Sequence, residues 1–256
     1  ACSSLLDYFG RDESLSAITR KRAEDWRHWI ANDTKSGRRR RLTPDNRLSP
    51  ATVAKRVLNA RTVFSRAVDW EWIDKNPFAK LKAGSQTNPD RLVYIERERI
   101  ERIIAVCPTS RWKLILGLAR YAALRSPSEI IAATWEDLAT KPGHLIVRSK
   151  KTEHHGGRHV RREVPVEPRL RELLDEHQSA TGRSTGPIIE LVGSSENPNF
   201  TTTIKKIIRR AGDQPWERLM QNLRSSCEND WMKSVGPHEA SRWTGHSIRF
   251  QTEHYY

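Results

Sequence analysis

Apolar residues recur at intervals of three to five along nearly all of this 256-residue chain, and one stretch breaks that period. Leu145, Ile146 and Val147 lie on one side of Gly156-Gly157, and Val160, Val164 and Val166 on the other. Two runs of strand-forming residues about a glycine turn predict a hairpin, with Lys150 and Lys151 at its bend. The remaining periodicity is helical. The expected class is therefore mainly α (α+β): helices, with a small antiparallel β-hairpin or sheet in the second part of the chain.

The spacing predicts a helix from Leu15 to Trp29, with Ser14 before it as a cap. A basic loop with the unbroken run Arg38, Arg39, Arg40 and Arg41 follows. Ser49-Pro50 is a strong start signal, a cap followed by proline in the first turn. That helix should run to about Trp70, bury Val53, Val57, Leu58, Ala60, Val63, Phe64 and Ala67, and carry Lys55, Arg56, Arg61 and Arg66 outside. Gly84, Ser85, Asn88 and Pro89 mark a linker. The expected organisation is a helical unit over 1–84, a linker over 85–90 and a larger unit over 91–256. In the larger unit helices are expected over Ile95–Ala105 and Trp112–Ala123, from Ser128 with Ile130, Ile131, Ala133 and Trp135 facing inward, after Pro168, and from Thr201. A final helical stretch should be broken at Gly236-Pro237 and Gly245. Trp26, Trp70 and Trp135 sit on apolar faces and are expected in the core.

Charge narrows the partner. There are 45 Lys and Arg against 31 Asp and Glu, a formal excess of +14, and such a surface attracts a polyanion, nucleic acid first among them. No run reaches the roughly 18 consecutive apolar residues of a membrane span, and the N-terminus lacks a signal-peptide pattern. Cys2, Cys107 and Cys227 are too dispersed for a disulfide framework or a zinc site and read as thiols in a reducing cytosol.

Four short boxes then occur in order. Tyr121-Ala122-Ala123-Leu124-Arg125 is followed by Ser128-Glu129-Ile130 and by Thr134-Trp135; Lys151-Thr152 by Arg162-Glu163-Val164-Pro165-Val166. Gln221-Asn222-Leu223-Arg224 comes next, then Thr244-Gly245-His246-Ser247, with Tyr255 nine residues beyond His246. Together they resemble the tyrosine recombinase, or phage integrase, family, in wording closest to integrase-like sequences of bacterial type. Asn76-Pro77-Phe78 resembles the end of the helical core-binding domain that commonly precedes the family's catalytic domain. The resemblance implies that 1–84 is that DNA-binding domain and 91–256 the catalytic one. It departs from the family in having an amide, Gln221, where a histidine is usual, and one extra residue between Arg125 and Glu129.

By this resemblance Tyr255 is the nucleophile, Arg125 and Arg224 bind the scissile phosphate, Lys151 is the general acid, His246 donates to the phosphate, and Gln221 stands beside it. The residue types suit the chemistry. Charge grows on the non-bridging oxygens in the transition state, and planar guanidiniums meet it bidentately. A tyrosyl phosphoester conserves the bond energy, so no cofactor is implied. An amide cannot take a proton at neutral pH. Backbone contacts are assigned to Arg38, Arg39, Arg40, Arg41, Lys55, Arg56, Arg61, Arg158, Lys205 and Lys206. The expected partner is double-stranded DNA, with a homotetramer on DNA for the intact protein, no membrane and no metal, in a cytoplasmic, nucleoid-associated setting of bacterial or prophage origin.

Each residue has a blander reading. Arg125 or Arg224 could satisfy helix-end carbonyls, Gln221 could be a surface amide, and His246 an ordinary C-terminal helix cap. Lys150 rivals Lys151, though Thr152 favours the latter, and Tyr256 rivals Tyr255. His154, His155 and His159 lack the companions of a metal site. Other functions consistent with the sequence are a type IB-like topoisomerase, an architectural DNA-binding protein that has lost cleavage, and a basic RNA-binding helical protein.

Overall fold

The computed structural model describes residues 2–32, 47–85, 91–148, 161–191 and 199–246. The chain divides into two compact units, Ala1–Pro89 and Asp90–Tyr256.

The first unit contains α1 (Cys2–Phe9), a 3-10 turn (Leu15–Ala17), α2 (Arg20–Asn32) and α3 (Pro50–Asp69). The start of α3 is the one its sequence announces: Ser49 Oγ accepts from Thr52 N and Pro50 occupies the first turn, satisfying donors that an α-helix leaves unpaired at its N-terminus. The expected Leu15–Trp29 helix is corrected. Ile18 is extended (φ −81°, ψ 94°), so a short turn and a separate helix share the apolar spacing, and Ser14 makes no side-chain cap. Helix α1 was not anticipated. Its carbonyl at Ser4 accepts from the indole of Trp26 at 3.0 Å, which ties α1 to α2.

The Asn76-Pro77-Phe78 box closes this unit. Phe78 is fully buried against Trp26 and Phe64, at ring separations of 5.5 and 4.6 Å. Asn76 Oδ1 accepts from Phe78 N at 2.8 Å and its amide donates to Arg61 O at 2.9 Å. The Arg61 guanidinium in turn donates to Phe78 O and, at 2.6 Å, to Leu81 O. Three expectations fail here, one of them Leu58, which is only half-buried. Trp70 is 58% exposed, its ring tilted at 55° against that of the similarly open Trp72, and Val63 is exposed, because they lie past the edge of the stripe that Val57, Ala60, Phe64 and Ala67 turn inward.

The second unit comprises α4 (Arg97–Ala105), α5 (Ser110–Tyr121), α6 (Ser128–Ala132), α7 (Trp135–Ala139), β1 (His144–Arg148), β2 (Arg161–Pro165), α8 (Pro168–Thr181), α9 (Thr201–Arg210) and α10 (Leu219–Thr244). The strands form the expected antiparallel pair, with Leu145 opposite Val164 and Val147 opposite Arg162. Helix α5 is buried over all of Leu114–Tyr121 and is the hub of the core. Gly117 is what lets α8 approach it, since a Cβ there would stand 2.5 Å from a Leu173 methyl. The helix beginning at Ser128 is shorter than expected. Ala133 is extended, and Thr134 starts α7 through a reciprocal capping box with Asp137. Ile131, placed inward by the sequence, is only partly buried. Among the described residues no helix is long and apolar enough to cross a membrane.

Candidate active site

Helix α10 organises the site by bending. Gly236 adopts φ 82° and ψ 169°, and Pro237 follows it. In a straight helix twenty residues span about 30 Å, yet here Arg224 Nη2 donates to Thr244 O at 3.1 Å and approaches His246 Nε2 at 3.3 Å. Gly245 ends the helix in the left-handed region (φ 70°), with the Arg162 side chain 3.6 Å from where a Cβ would stand. His246 is then fixed by Ser241 Oγ, which donates to its carbonyl, and by Thr244 Oγ1, which accepts from its N–H.

The opposite face of α10 is tied to the segment that enters the second unit. Asn222, Ser226 and Asp230 repeat at four-residue steps. They donate to Arg91 O, accept from Ile95 N and accept from the Tyr94 hydroxyl, respectively. Arg120, wholly buried, pairs with Asp230 at 2.8 Å and donates to Ile95 O. Arg224 and Glu228 therefore project from a helix held on its far side.

Glu129 stands at the centre of the site, and its carboxylate is 2% exposed. Arg162 meets it through two parallel bonds of 2.8 and 2.6 Å, Arg125 through one of 2.5 Å, and Arg224 at 3.4 Å. The Arg125 backbone N–H also donates to it at 2.8 Å. Burial alone would push this carboxyl up. The hydrogen bonds from Arg162, with the charges of Arg162, Arg224 and Arg125, outweigh that and hold it at about 2. Burial in turn pulls the Arg162 guanidinium below its usual value, against the support of Glu129. Arg162 Nε donates to Trp243 O at 2.8 Å, so one side chain joins β2, α6 and the end of α10.

Arg224 is 7% exposed and bonds with both terminal nitrogens: Nη1 to Ala123 O at 2.7 Å and to Glu129, Nη2 to Thr244 O and His246, while Nε lies 2.9 Å from the Glu228 carboxylate as an ion pair. Ala123, whose carbonyl it holds, has φ 49°, a conformation that disfavours residues with a Cβ. Arg125 is the more open guanidinium, its side chain 23% exposed against 18% for His246. Among the described residues three guanidiniums, of Arg125, Arg162 and Arg224, face two carboxylates, of Glu129 and Glu228.

Residues 1–83 match the family model of a phage integrase SAM-like domain. The whole chain superposes on lambda integrase in a dimer bound to a COC' core site, with a TM-score of 0.69 and 19% identity over 100% of this chain and 85% of that one. The chain has the tyrosine recombinase fold. The same recombinase fold is found in the Tn1549 transposon integrase in complex with a circular intermediate DNA, with a TM-score of 0.71 and 14% identity over 99% of this chain and 87% of that one. Among curated proteins the chain is similar to the putative defective protein IntQ of Escherichia coli (strain K12), 26% identical over 147 residues. That match covers 57% of this chain and 36% of IntQ, so the chain spans about a third of that relative.

Within this recombinase fold Arg125, Arg224 and His246, chosen from sequence boxes far apart in the chain, come together. Gln221 is exposed on the first turn of α10. Lys151, Arg158, Tyr255 and Arg38 to Arg41, with the rivals Lys150 and Tyr256 and the histidines at 154, 155 and 159, lie outside the described residues. Lys205 and Lys206 are exposed on α9, opposite the buried Ile204, Ile207 and Ile208; Lys55 is exposed and Arg56 half-buried on α3. The sequence reading assigned no role to Arg162 or Glu228. Each had a signal: Arg162 is an arginine at an inward position of a strand, and Glu228 is an acid one helical turn after an expected phosphate ligand.

Proposed function

We propose that this chain cleaves and rejoins duplex DNA through a 3′-phosphotyrosyl intermediate. The observation that carries the reading is the assembly of Arg125, Arg224 and His246 about the buried carboxylates of Glu129 and Glu228. Two guanidiniums held in place before substrate arrives stabilise a developing phosphorane with no reorganisation at the moment of reaction. The longest bonds of Arg224, to Glu129 and His246, are the ones a phosphate oxygen would replace.

In this reading Tyr255 attacks the phosphate, Arg125 and Arg224 neutralise its non-bridging oxygens, His246 and Gln221 lie beside it, and Lys151 protonates the leaving 5′ oxygen. Residues 1–84 form the core-binding domain, 85–90 the linker and 91–256 the catalytic domain. The exposed cations of α3 and α9 follow the DNA backbone, and Arg38, Arg39, Arg40 and Arg41 are assigned the same role. Bound DNA would assemble four protomers, and the setting would be a bacterial or prophage nucleoid. No cofactor enters the reaction. The recombinase fold and the matches to integrases solved on DNA support this reading.

The test is a nicked suicide duplex, with adducts resolved on a denaturing gel. A covalent adduct from the unaltered chain and from Tyr256→Phe, absent with Tyr255→Phe, is expected. Tight binding with no adduct from any of the three would refute cleavage. That outcome favours a second reading, an architectural DNA-binding protein, to which the amide at Gln221 points.

A further inference from the structure

Glu228 is a wholly buried carboxylate in the site that the proposed chemistry has not used. One helical turn after Arg224, it shares that residue's face of α10. Its Oε1 lies 2.9 Å from Arg224 Nε and 3.5 Å from His246 Nδ1. On the other side of the ring, His246 Nε2 is 3.3 Å from Arg224 Nη2. A guanidinium has donors and no acceptor, so the Nε2 it faces is the accepting nitrogen, and the ring proton belongs on Nδ1 against the carboxylate. Among the described residues, the further charged groups on the elements around this ring are Arg162, which packs under Gly245 from β2, and Glu129 from α6, which both arginines contact.

We infer that Glu228 is a positioning residue that makes His246 the proton acceptor for the attacking tyrosine, the task an amide at position 221 cannot perform. The inference rests on the recombinase reading and deepens it. In the step assigned, the phenolic proton passes to His246 Nε2 as the tyrosine oxygen bonds to phosphorus. The bond from phosphorus to the 5′ oxygen breaks, and that oxygen takes a proton from a lysine ammonium. The imidazolium so formed faces Glu228, and on rejoining it returns the proton to the departing tyrosine oxygen. When phosphate draws Arg224 Nη2 away, Nε2 is exposed to the tyrosine, while the Glu228 carboxylate stays 3.5 Å from Nδ1.

The tautomer is read directly from two-bond proton–nitrogen spectra of the histidines in the full chain, with His246→Gln identifying the signal. Nδ1–H is expected for His246; Nε2–H in the unaltered chain would overturn the inference with no variant needed. On suicide duplexes carrying a core site selected from a random-sequence library, Glu228→Gln should slow adduct formation about 100-fold, the usual scale of a lost general base. Gln221→His should restore the adduct in that background, and Glu228→Asp, which keeps the charge, should lose less. Equal rates in Glu228→Gln, beside a normal adduct from the unaltered chain, would sink this inference and leave the recombinase reading standing. No adduct from the unaltered chain would sink both.

Discussion

Replacing Glu129 by glutamine tests the centre of the site through stability. The carboxyl is held at about 2 against the 4.5 ordinary for glutamate. At about 1.4 kcal/mol per pH unit this amounts to roughly 3 kcal/mol of folding stability at neutral pH. The figure agrees with the ~3–5 kcal/mol lost when one member of a buried ion pair is removed, and here Arg162 and Arg224 would both remain buried beside a neutral amide. Because the folded value is depressed, the contribution is complete above about pH 4.5 and declines as the pH falls towards 2. Thermal unfolding of the two proteins should therefore differ by about 6–12 °C at pH 7, at 2–4 °C per kcal/mol for a domain of this size. The gap should narrow steadily below pH 4.5. Equal melting at pH 7, or a gap that persists undiminished at pH 3, would show that Glu129 is not the counter-charge the geometry makes it.

Other substitutions separate structural cations from DNA-facing ones. Arg61→Met should destabilise the N-terminal unit by about 1–3 kcal/mol for the buried acceptors it leaves, because the guanidinium anchors Phe78 O and Leu81 O, and so lower its melting temperature. Lys205→Gln with Lys206→Gln should leave melting unchanged and reduce the slope of log K against log salt by about 0.9 for each DNA phosphate that is no longer neutralised; an unchanged slope would remove α9 from the interface. Gly117→Val should destabilise by roughly 1–3 kcal/mol, as overpacking does, since even a Cβ there meets Leu173 at 2.5 Å; urea titration with no loss of stability would show that α5 and α8 can part. Ser49→Ala should cost about 1 kcal/mol through the missing cap of α3, read in the same way.

Some misreadings of the sequence have a common origin. Trp70 and Val63 belong to an apolar pattern that points to the core, but a period of three to five admits residues on either margin of a helical stripe. Which margin is covered depends on what packs there. The Leu15–Trp29 helix fails similarly, because a 3-10 turn followed by α2 satisfies the same spacing. Arg61 looks in the sequence like one cation among several on an outer face, and its employment becomes visible only when the Asn76-Pro77-Phe78 segment folds back beneath it.

Short-range features of this protein are written along the chain. Serine and proline at 49–50 start α3, Gly236-Pro237 bends α10, Gly245 ends it, and the lone strand signal gives the hairpin. Each acts within a few residues, through φ limits, caps or side-chain period. The order of the recombinase boxes is equally linear. The counter-charges of the site are different. Glu129 is joined to Arg162 across 33 residues and to Arg224 across 95, and His246 reaches Glu228 only because α10 doubles back. Charges pair strongly where burial removes the competing water, and burial is a property of the packed chain, so Arg162, Glu129 and Glu228 acquire their roles only when the helices and hairpin close around them.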